Sequence, residues 1–315
     1  MAADVRKQGR RNPLRGRAAP FGHGTRPALV LYTPLILLLS AGCHRSDRIV
    51  VGSKNFTESD LLGEIVAQQI ERRTSLPVER RFHLGGTFVC HQAITAGQID
   101  LYVEYTGTAY TAVLKLSPGP DPDSVYRAVA AEYQRRFGLV WGRPLGFDNT
   151  FAITVRRADA ARYGLKRISD LARVAPRWHA GFGYEFLERA DGFRGLAGVY
   201  GLRFASPPTA MDLGLTYRAL AEGKVDVIAG NSTDGQIAAL DLVALEDDRH
   251  YFPPYQAAAV TRAQVLEAHP EVRRALAELE GRIPDAEMRR LNALADVEHR
   301  DIAVIARDWL RVNAP

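Results

Sequence analysis

A ten-residue pattern that occurs twice constrains this chain more than any other feature. Ala93-Ile94-Thr95-Ala96-Gly97-Gln98-Ile99-Asp100-Leu101-Tyr102 and Ala219-Leu220-Ala221-Glu222-Gly223-Lys224-Val225-Asp226-Val227-Ile228 share one layout. In each, a helix ends at a glycine suited to the left-handed cap conformation. Two residues intervene, then an aspartate, then a fully apolar strand. Each strand runs into a small polar segment, Tyr105-Thr106-Gly107-Thr108 in one and Asn231-Ser232-Thr233-Asp234-Gly235 in the other. Such segments open helices well. One unit in each of two lobes, with the strand ends meeting across a cleft, is what a two-lobed binding protein needs. The competing reading is that any two αβ units look alike, since the shared spacing is short.

The rest of the chain supports α/β architecture, alternating short apolar strands with amphipathic helices. Ile49-Val50-Val51 reads as a strand, followed by a polar loop from Ser53 to Phe56. Thr57 with Asp60 reads as a capping box. Leu61, Leu62, Ile65, Val66 and Ile70 then form one apolar helix face. Val78 to Phe82 is the next strand, and Gly85-Gly86-Thr87 opens a second helix. Near the end, 263–283 and 285–312 read as two long helices, with Pro284 as the breaker between them.

The formal charge of +5 lies mostly at the N-terminus. Residues 1–42 carry seven basic groups and one acid, which leaves 34 basic against 35 acidic residues for 43–315. The body of the chain therefore lacks the basic excess that nucleic-acid binding requires. After the basic arm comes an uncharged, leucine-rich stretch from Ala28 to Gly42, short for a bilayer span of ~20 residues. It ends in Ser40-Ala41-Gly42-Cys43. This reads as a signal peptide over 1–42, with Cys43 as the lipidated residue of a lipobox and 43–48 as anchor or linker. Ser40 departs from the usual lipobox leucine, and a non-lipidated signal peptide or an uncleaved anchor are the alternatives. With Cys43 lipidated, Cys90 alone cannot form an internal disulfide. It sits in an apolar run, as a buried, inert thiol would.

Chemistry-bearing motifs are scarce. The eight histidines show no metal-ligand spacing, and no H-E-x-x-H, P-loop or G-x-S-x-G elbow occurs. Glu104 and Asp234 are candidate acids without a nucleophile–base pair. No cofactor, metal or catalytic residue is expected. Aromatic residues stand beside small or polar groups at the ends of expected strands: Tyr105, Phe151 and Tyr255.

On these residues the chain resembles the osmoprotectant substrate-binding proteins of ABC importers, whose solutes are glycine betaine, carnitine, choline and proline betaine. The shared segments are Gly52-Ser53-Lys54-Asn55-Phe56-Thr57-Glu58, Leu84-Gly85-Gly86-Thr87, the stretch from Gly97 to Thr108, and Gly146-Phe147-Asp148-Asn149-Thr150. Next come Tyr163-Gly164-Leu165, Ile168-Ser169-Asp170-Leu171, and Glu185-Phe186-Leu187-Glu188-Arg189 with Asp191-Gly192. Ser232-Thr233-Asp234-Gly235, Leu245-Glu246-Asp247-Asp248 and Phe252-Pro253-Pro254-Tyr255 complete them.

The resemblance implies a two-lobed periplasmic-binding-protein fold of type II, each lobe a mainly parallel sheet flanked by helices. One lobe would comprise 49–147 plus 253–315 and the other 148–252, with hinges near 147–151 and 252–255. It also implies an aromatic box for a trimethylammonium head, which can donate no hydrogen bond and is attracted to ring faces. Tyr105, Phe151 and Tyr255 match box positions, while a fourth box position falls at Asn231. Lys54, Thr108 and Arg189 match carboxylate-binding positions. The implied partners are a small osmolyte, the permease and ATPase subunits, and a membrane reached through the lipid anchor. The implied location is periplasmic or extracytoplasmic. Rival readings are an exported ligand-sensing receptor of the same fold, a binding protein for a different polar solute, and an enzyme built on this scaffold.

Overall fold

The structure is a computed structural model that describes residues 48–117 and 121–314. The basic arm, the leucine-rich stretch and Cys43 lie outside the described residues. In chain order the first strands are β1 (Ile49–Gly52), β2 (Val78–Arg81), β3 (Leu101–Tyr105) and β4 (Leu139–Trp141). They are followed by β5 (Phe151–Arg156), β6 (Ala180–Gly183), β7 (Thr209–Met211), β8 (Val227–Asn231), β9 (Leu242–Ala244) and β10 (Ala257–Arg262).

These strands form two five-stranded sheets of one topology, β2-β1-β3-β10-β4 and β7-β6-β8-β5-β9. In the first, β1 pairs parallel with β2 and β3, while β10 runs antiparallel between β3 and β4. In the second, β6 pairs parallel with β7 and β8, and β5 runs antiparallel between β8 and β9. Each sheet thus has one reversed strand. The chain passes between the sheets twice, after β4 and after β9.

Both faces of each sheet are covered, which is why these strands read as apolar runs rather than alternating ones. On the first sheet, α1 (Thr57–Arg73) and the C-terminal helices pack Leu61, Ile65 and Trp309 on one face. On the other face, α2 (Thr87–Thr95) and helix Pro122–Phe137 supply Ile94, Val129 and Tyr133. On the second sheet Phe186, Leu196 and Tyr200 fill one side, and Tyr217 and Leu220 the other. Each such buried side chain contributes about 1.5–3 kcal/mol.

The repeated ten-residue pattern builds the same joint in both sheets. Gly97 and Gly223 take left-handed φ values of +69° and +71°. Asp100 then donates its backbone N–H to Val50 O at 2.7 Å and accepts from Val50 N–H at 3.0 Å. Asp226 makes the same pair with His179, at 2.7 and 2.9 Å. An arginine from the reversed strand completes each joint, Arg262 on Asp100 at 3.2 Å and Arg156 on Asp226 at 2.7 Å.

Two local expectations need correction. Thr57 is the first residue of α1 and Phe56 the cap, with no side-chain capping bond. Asp60 instead accepts from the Ser53 hydroxyl and from His83 N–H, so it ties the helix to the loop after β2. The long C-terminal helices are four: Ala263–Ala268, Pro270–Ala277, Asp285–Asp296 and Ile302–Asn313. Pro270, which has no N–H to donate, breaks the first pair. The second breaks where His299 turns to φ +53°.

Candidate ligand-binding site

All parallel strands of a sheet point their C-terminal ends to the same edge, and the reversed strand starts there. Those edges carry the polar loops, so ligand chemistry collects at them. From the first sheet come Lys54 after β1, Tyr105 and Thr108 at the end of β3, and Tyr255 before β10. From the second come Arg189 after β6, Asn231 at the end of β8, and Phe151 at the start of β5. The structure brings these seven side chains to the wall of one cavity of about 370 Å3.

The rings are fixed from behind. Tyr105 donates its hydroxyl to Glu58 at 2.6 Å, and Tyr255 donates to Asp191 at 2.6 Å. Phe151 packs against Tyr255, Phe186 and Phe252, with ring centroids 5.7, 4.8 and 5.5 Å away. Each tyrosine hydroxyl is therefore turned toward a carboxylate. Burial pushes both phenols well above their ordinary pKa, and the adjoining carboxylates add to the shift.

The two cations at the site already have carboxylate partners. Lys54, 4% exposed, pairs with Glu104 at 2.5 Å and donates to Thr87 Oγ1 at 3.3 Å. Its ammonium also stands 4.7 Å from the Tyr105 ring centroid. Arg189 holds Asp191 side-on through Nε at 2.9 Å and Nη2 at 2.5 Å, and donates Nη1 to Thr108 at 3.1 Å. Its guanidinium lies 5.1 Å from the Phe151 centroid and 5.9 Å from that of Tyr255. Burial would raise the Asp191 pKa, but Arg189, Tyr255 and Thr111 outweigh it and hold the carboxyl below its ordinary value. A guanidinium has five N–H groups, so Arg189 keeps two beyond these contacts.

Four features of the site were not legible in the sequence. Phe56 adds a ring 6.3 Å from Tyr105. Glu58 accepts from Tyr105, Asn149, Thr233 and Asn292 at 2.5–2.7 Å, joining α1 to four later segments. Burial raises its pKa against those four bonds. Glu185, from the second sheet, accepts from both the backbone N–H and the hydroxyl of Thr87 at the start of α2. Asp191 neutralises Arg189, and its place two residues after a candidate clamp arginine was the available signal. Asn231 donates its amide to Asp234 at 3.2 Å and lies opposite Phe151 in the ladder.

Other chemistry is sparse. Burial pushes the Cys90 thiol up to about 12, so thiolate is not populated at neutral pH. Among the described residues no group of three or more His, Cys, Asp or Glu could hold a metal ion.

Comparison with known proteins agrees with this architecture. The family described as the substrate binding domain of ABC-type glycine betaine transport systems matches residues 47–312. The carnitine transport binding protein OpuCC of Listeria monocytogenes is 35% identical over 274 residues, covering 86% of this chain and 89% of that protein. The ergothioneine transport permease/ergothioneine binding protein EgtU of Helicobacter pylori is 35% identical over 263 residues, 83% of this chain. The match spans only 47% of the length of EgtU. A crystal structure of a glycine betaine/carnitine/choline ABC transporter superposes with a TM-score of 0.69 at 33% identity, covering 84% of this chain and 97% of that one. The chain belongs to the family of substrate-binding domains of ABC-type glycine betaine transport systems.

Proposed function

We propose that this chain captures a small quaternary-ammonium solute, such as glycine betaine, choline or a related betaine, and delivers it to the permease of an ABC importer. The observation that carries this reading is the set of pinned rings, Tyr105, Phe151 and Tyr255, drawn from two sheets onto one cavity. A trimethylammonium group offers no donor, so ring faces are its available partners, each ~0.5–2 kcal/mol when desolvated. The two free N–H groups of Arg189, with Lys54 and Thr108, suit a carboxylate on the same solute. The named solutes of the relatives, carnitine and ergothioneine, are consistent with this class.

In this reading the lobes are 49–147 with 253–315 and 148–252, and the two crossings act as hinges that close over the solute. The chain binds and releases its solute without converting it. It acts outside the cytoplasm, anchored through lipidated Cys43, and feeds a permease driven by an ATPase subunit. Calorimetry with glycine betaine, choline and carnitine on the chain lacking residues 1–43 tests the ligand class. Saturable binding of at least one is expected; binding of an uncharged solute alone would overturn it. Palmitate incorporation into wild type but not Cys43→Ser tests the anchor.

A further inference from the structure

Asp191 collects three donors on one carboxylate oxygen. Arg189 Nη2 stands 2.5 Å from Oδ2, the Tyr255 hydroxyl 2.6 Å and the Thr111 hydroxyl 2.7 Å. Arg189 is two residues from Asp191 and belongs with it to the second sheet's edge. The other two donors come from the first sheet's side, Tyr255 ahead of β10 and Thr111 beyond β3. The Tyr255 ring lines the cavity, whereas Thr111, 2% exposed, does not. Its hydroxyl bonds across the cleft without reaching the space a solute would fill.

The local fold gives that hydroxyl a second partner. Thr111 sits in a single π-helical turn, Ala109–Val113, closed by Leu114 N–H on Ala109 O at 2.9 Å. Such turns recur at functional sites. Thr111 Oγ1 also lies 2.7 Å from Gly107 O, the carbonyl four residues back. A hydroxyl has one proton to donate, so it serves Gly107 or Asp191, not both. The carboxylate is the stronger acceptor when it is within reach. When it is not, the carbonyl keeps the hydroxyl paired, so an open form carries no orphaned donor there. Gly107 itself is tightly seated, because a Cβ there would meet Pro254 O at 2.7 Å and the Tyr255 ring at 2.7–2.8 Å. Gly107, Thr111 and Tyr255 thus present one packed surface to Asp191.

We propose that Thr111 is a positioning residue for solute retention: its hydroxyl passes its hydrogen bond from Gly107 O to the Asp191 carboxylate as the cleft closes, and so latches the lobes over a solute it does not touch. This latch rests on the hinged, quaternary-ammonium reading above and adds a part that acts equally on every solute of the class.

The test is stopped-flow binding on the exported chain, with glycine betaine and choline as probes. The solute enters before the latch forms, so association should be unchanged and the loss should fall on dissociation. Thr111→Val keeps the shape and branching but has no hydroxyl. It should release both probes about tenfold faster, the difference between a hydrogen bond to a charged acceptor and one to a neutral acceptor. Thr111→Ser, which keeps the hydroxyl, should return dissociation to the wild-type rate. Thr111→Ala gives the same reading should the valine variant fail to melt cooperatively. Unchanged dissociation in a folded Thr111→Val or Thr111→Ala would overturn the latch, and so would a serine variant that releases as fast as valine. A loss for glycine betaine alone would also overturn it, by placing the hydroxyl at the solute's carboxylate. Those outcomes leave the solute class standing. Binding of neither probe by wild type would overturn the class, and a radius of gyration unchanged by saturating probe would overturn the hinge, each taking the latch with it.

Discussion

Glu185 reaches from the end of β6 to Thr87, a residue of the other sheet's flanking helix, and accepts from both its backbone N–H and its hydroxyl. A carboxylate at a helix N-terminus is well placed electrostatically. This contact can form only when the two sheets' edges approach, so in the hinged reading proposed above it belongs to the closed arrangement. Removing it should shift the population toward an open one. Glu185→Ala is expected to weaken ligand binding by about 1.5 kcal/mol, roughly tenfold in Kd, with little change in melting temperature.

Gly86 supplies an independent check, because a Cβ there would run into the Glu185 carboxylate. Gly86→Ala should displace that side chain and weaken binding similarly. The double variant should then be no weaker than either single one, a coupling read by a double-mutant cycle. Additive losses would mean the two residues act separately.

The tyrosine hydroxyls predict a division between stability and binding. Tyr105→Phe keeps the ring but takes one of four donors from buried Glu58. Thermal melts should show a loss of about 1–2 kcal/mol, with ligand affinity reduced less. Tyr105→Ala removes the ring face as well and should cost quaternary-ammonium ligands about 1–2 kcal/mol of affinity. An affinity loss for Phe equal to that for Ala would mean that the hydroxyl, not the ring, meets the ligand.

Asp148 gives a stability effect of unusual sign. Burial lifts its pKa from 3.8 to about 6, with nearby Asp285 adding to the shift against the hydrogen bond from Tyr255 N–H. Between those values the folded chain holds a proton that the unfolded chain has lost. Stability from this group therefore falls as pH rises through the window. Asp234, lifted by burial to about 7, acts in the same sense. His91, lowered by burial, opposes them, so the clean measurement is a difference. The melting temperature of Asp148→Asn minus that of wild type should grow as pH rises from about 5 to 7.5. A difference independent of pH would remove Asp148 as the source.

The joints at Asp100 and Asp226 explain what was legible. Glycine, aspartate and apolar strand stand within ten residues of each other, so local geometry wrote the pattern into the sequence. Their arginine partners arrive from 162 and 70 residues away, and no local signal announces them. The site divides in the same manner. Tyr105 and Asn231 stand where strands end, and strand ends can be read, whereas Arg189 follows the helix after β6 and came only from the resemblance. That Glu185 would cross to Thr87 depends on how the two sheets face each other, which spacing does not encode. The broken C-terminal helices were missed for another reason. Apolar periodicity continues across His269-Pro270, so the pattern alone does not mark the break there.

The last prediction concerns the carboxylate clamp, and it must allow for Asp191. Arg189→Ala alone would strand a carboxylate whose side chain is 0% exposed. Breaking a buried pair in this manner costs about 3–5 kcal/mol, so any loss of binding would be confounded with loss of folding. Arg189→Ala combined with Asp191→Asn removes both charges and leaves an amide to receive the Tyr255 hydroxyl. This double variant should retain a cooperative melt. Glycine betaine should lose a charge-assisted contact of about 1.5–3 kcal/mol. Choline, whose hydroxyl makes no ion pair, should change by only a few tenths of a kcal/mol, the size expected at a site it does not use. Titration of both ligands into wild type and double variant decides the matter. Equal losses would show that Arg189 shapes the cavity by holding Asp191, Thr108 and the rings in place, and that the carboxylate is bound elsewhere.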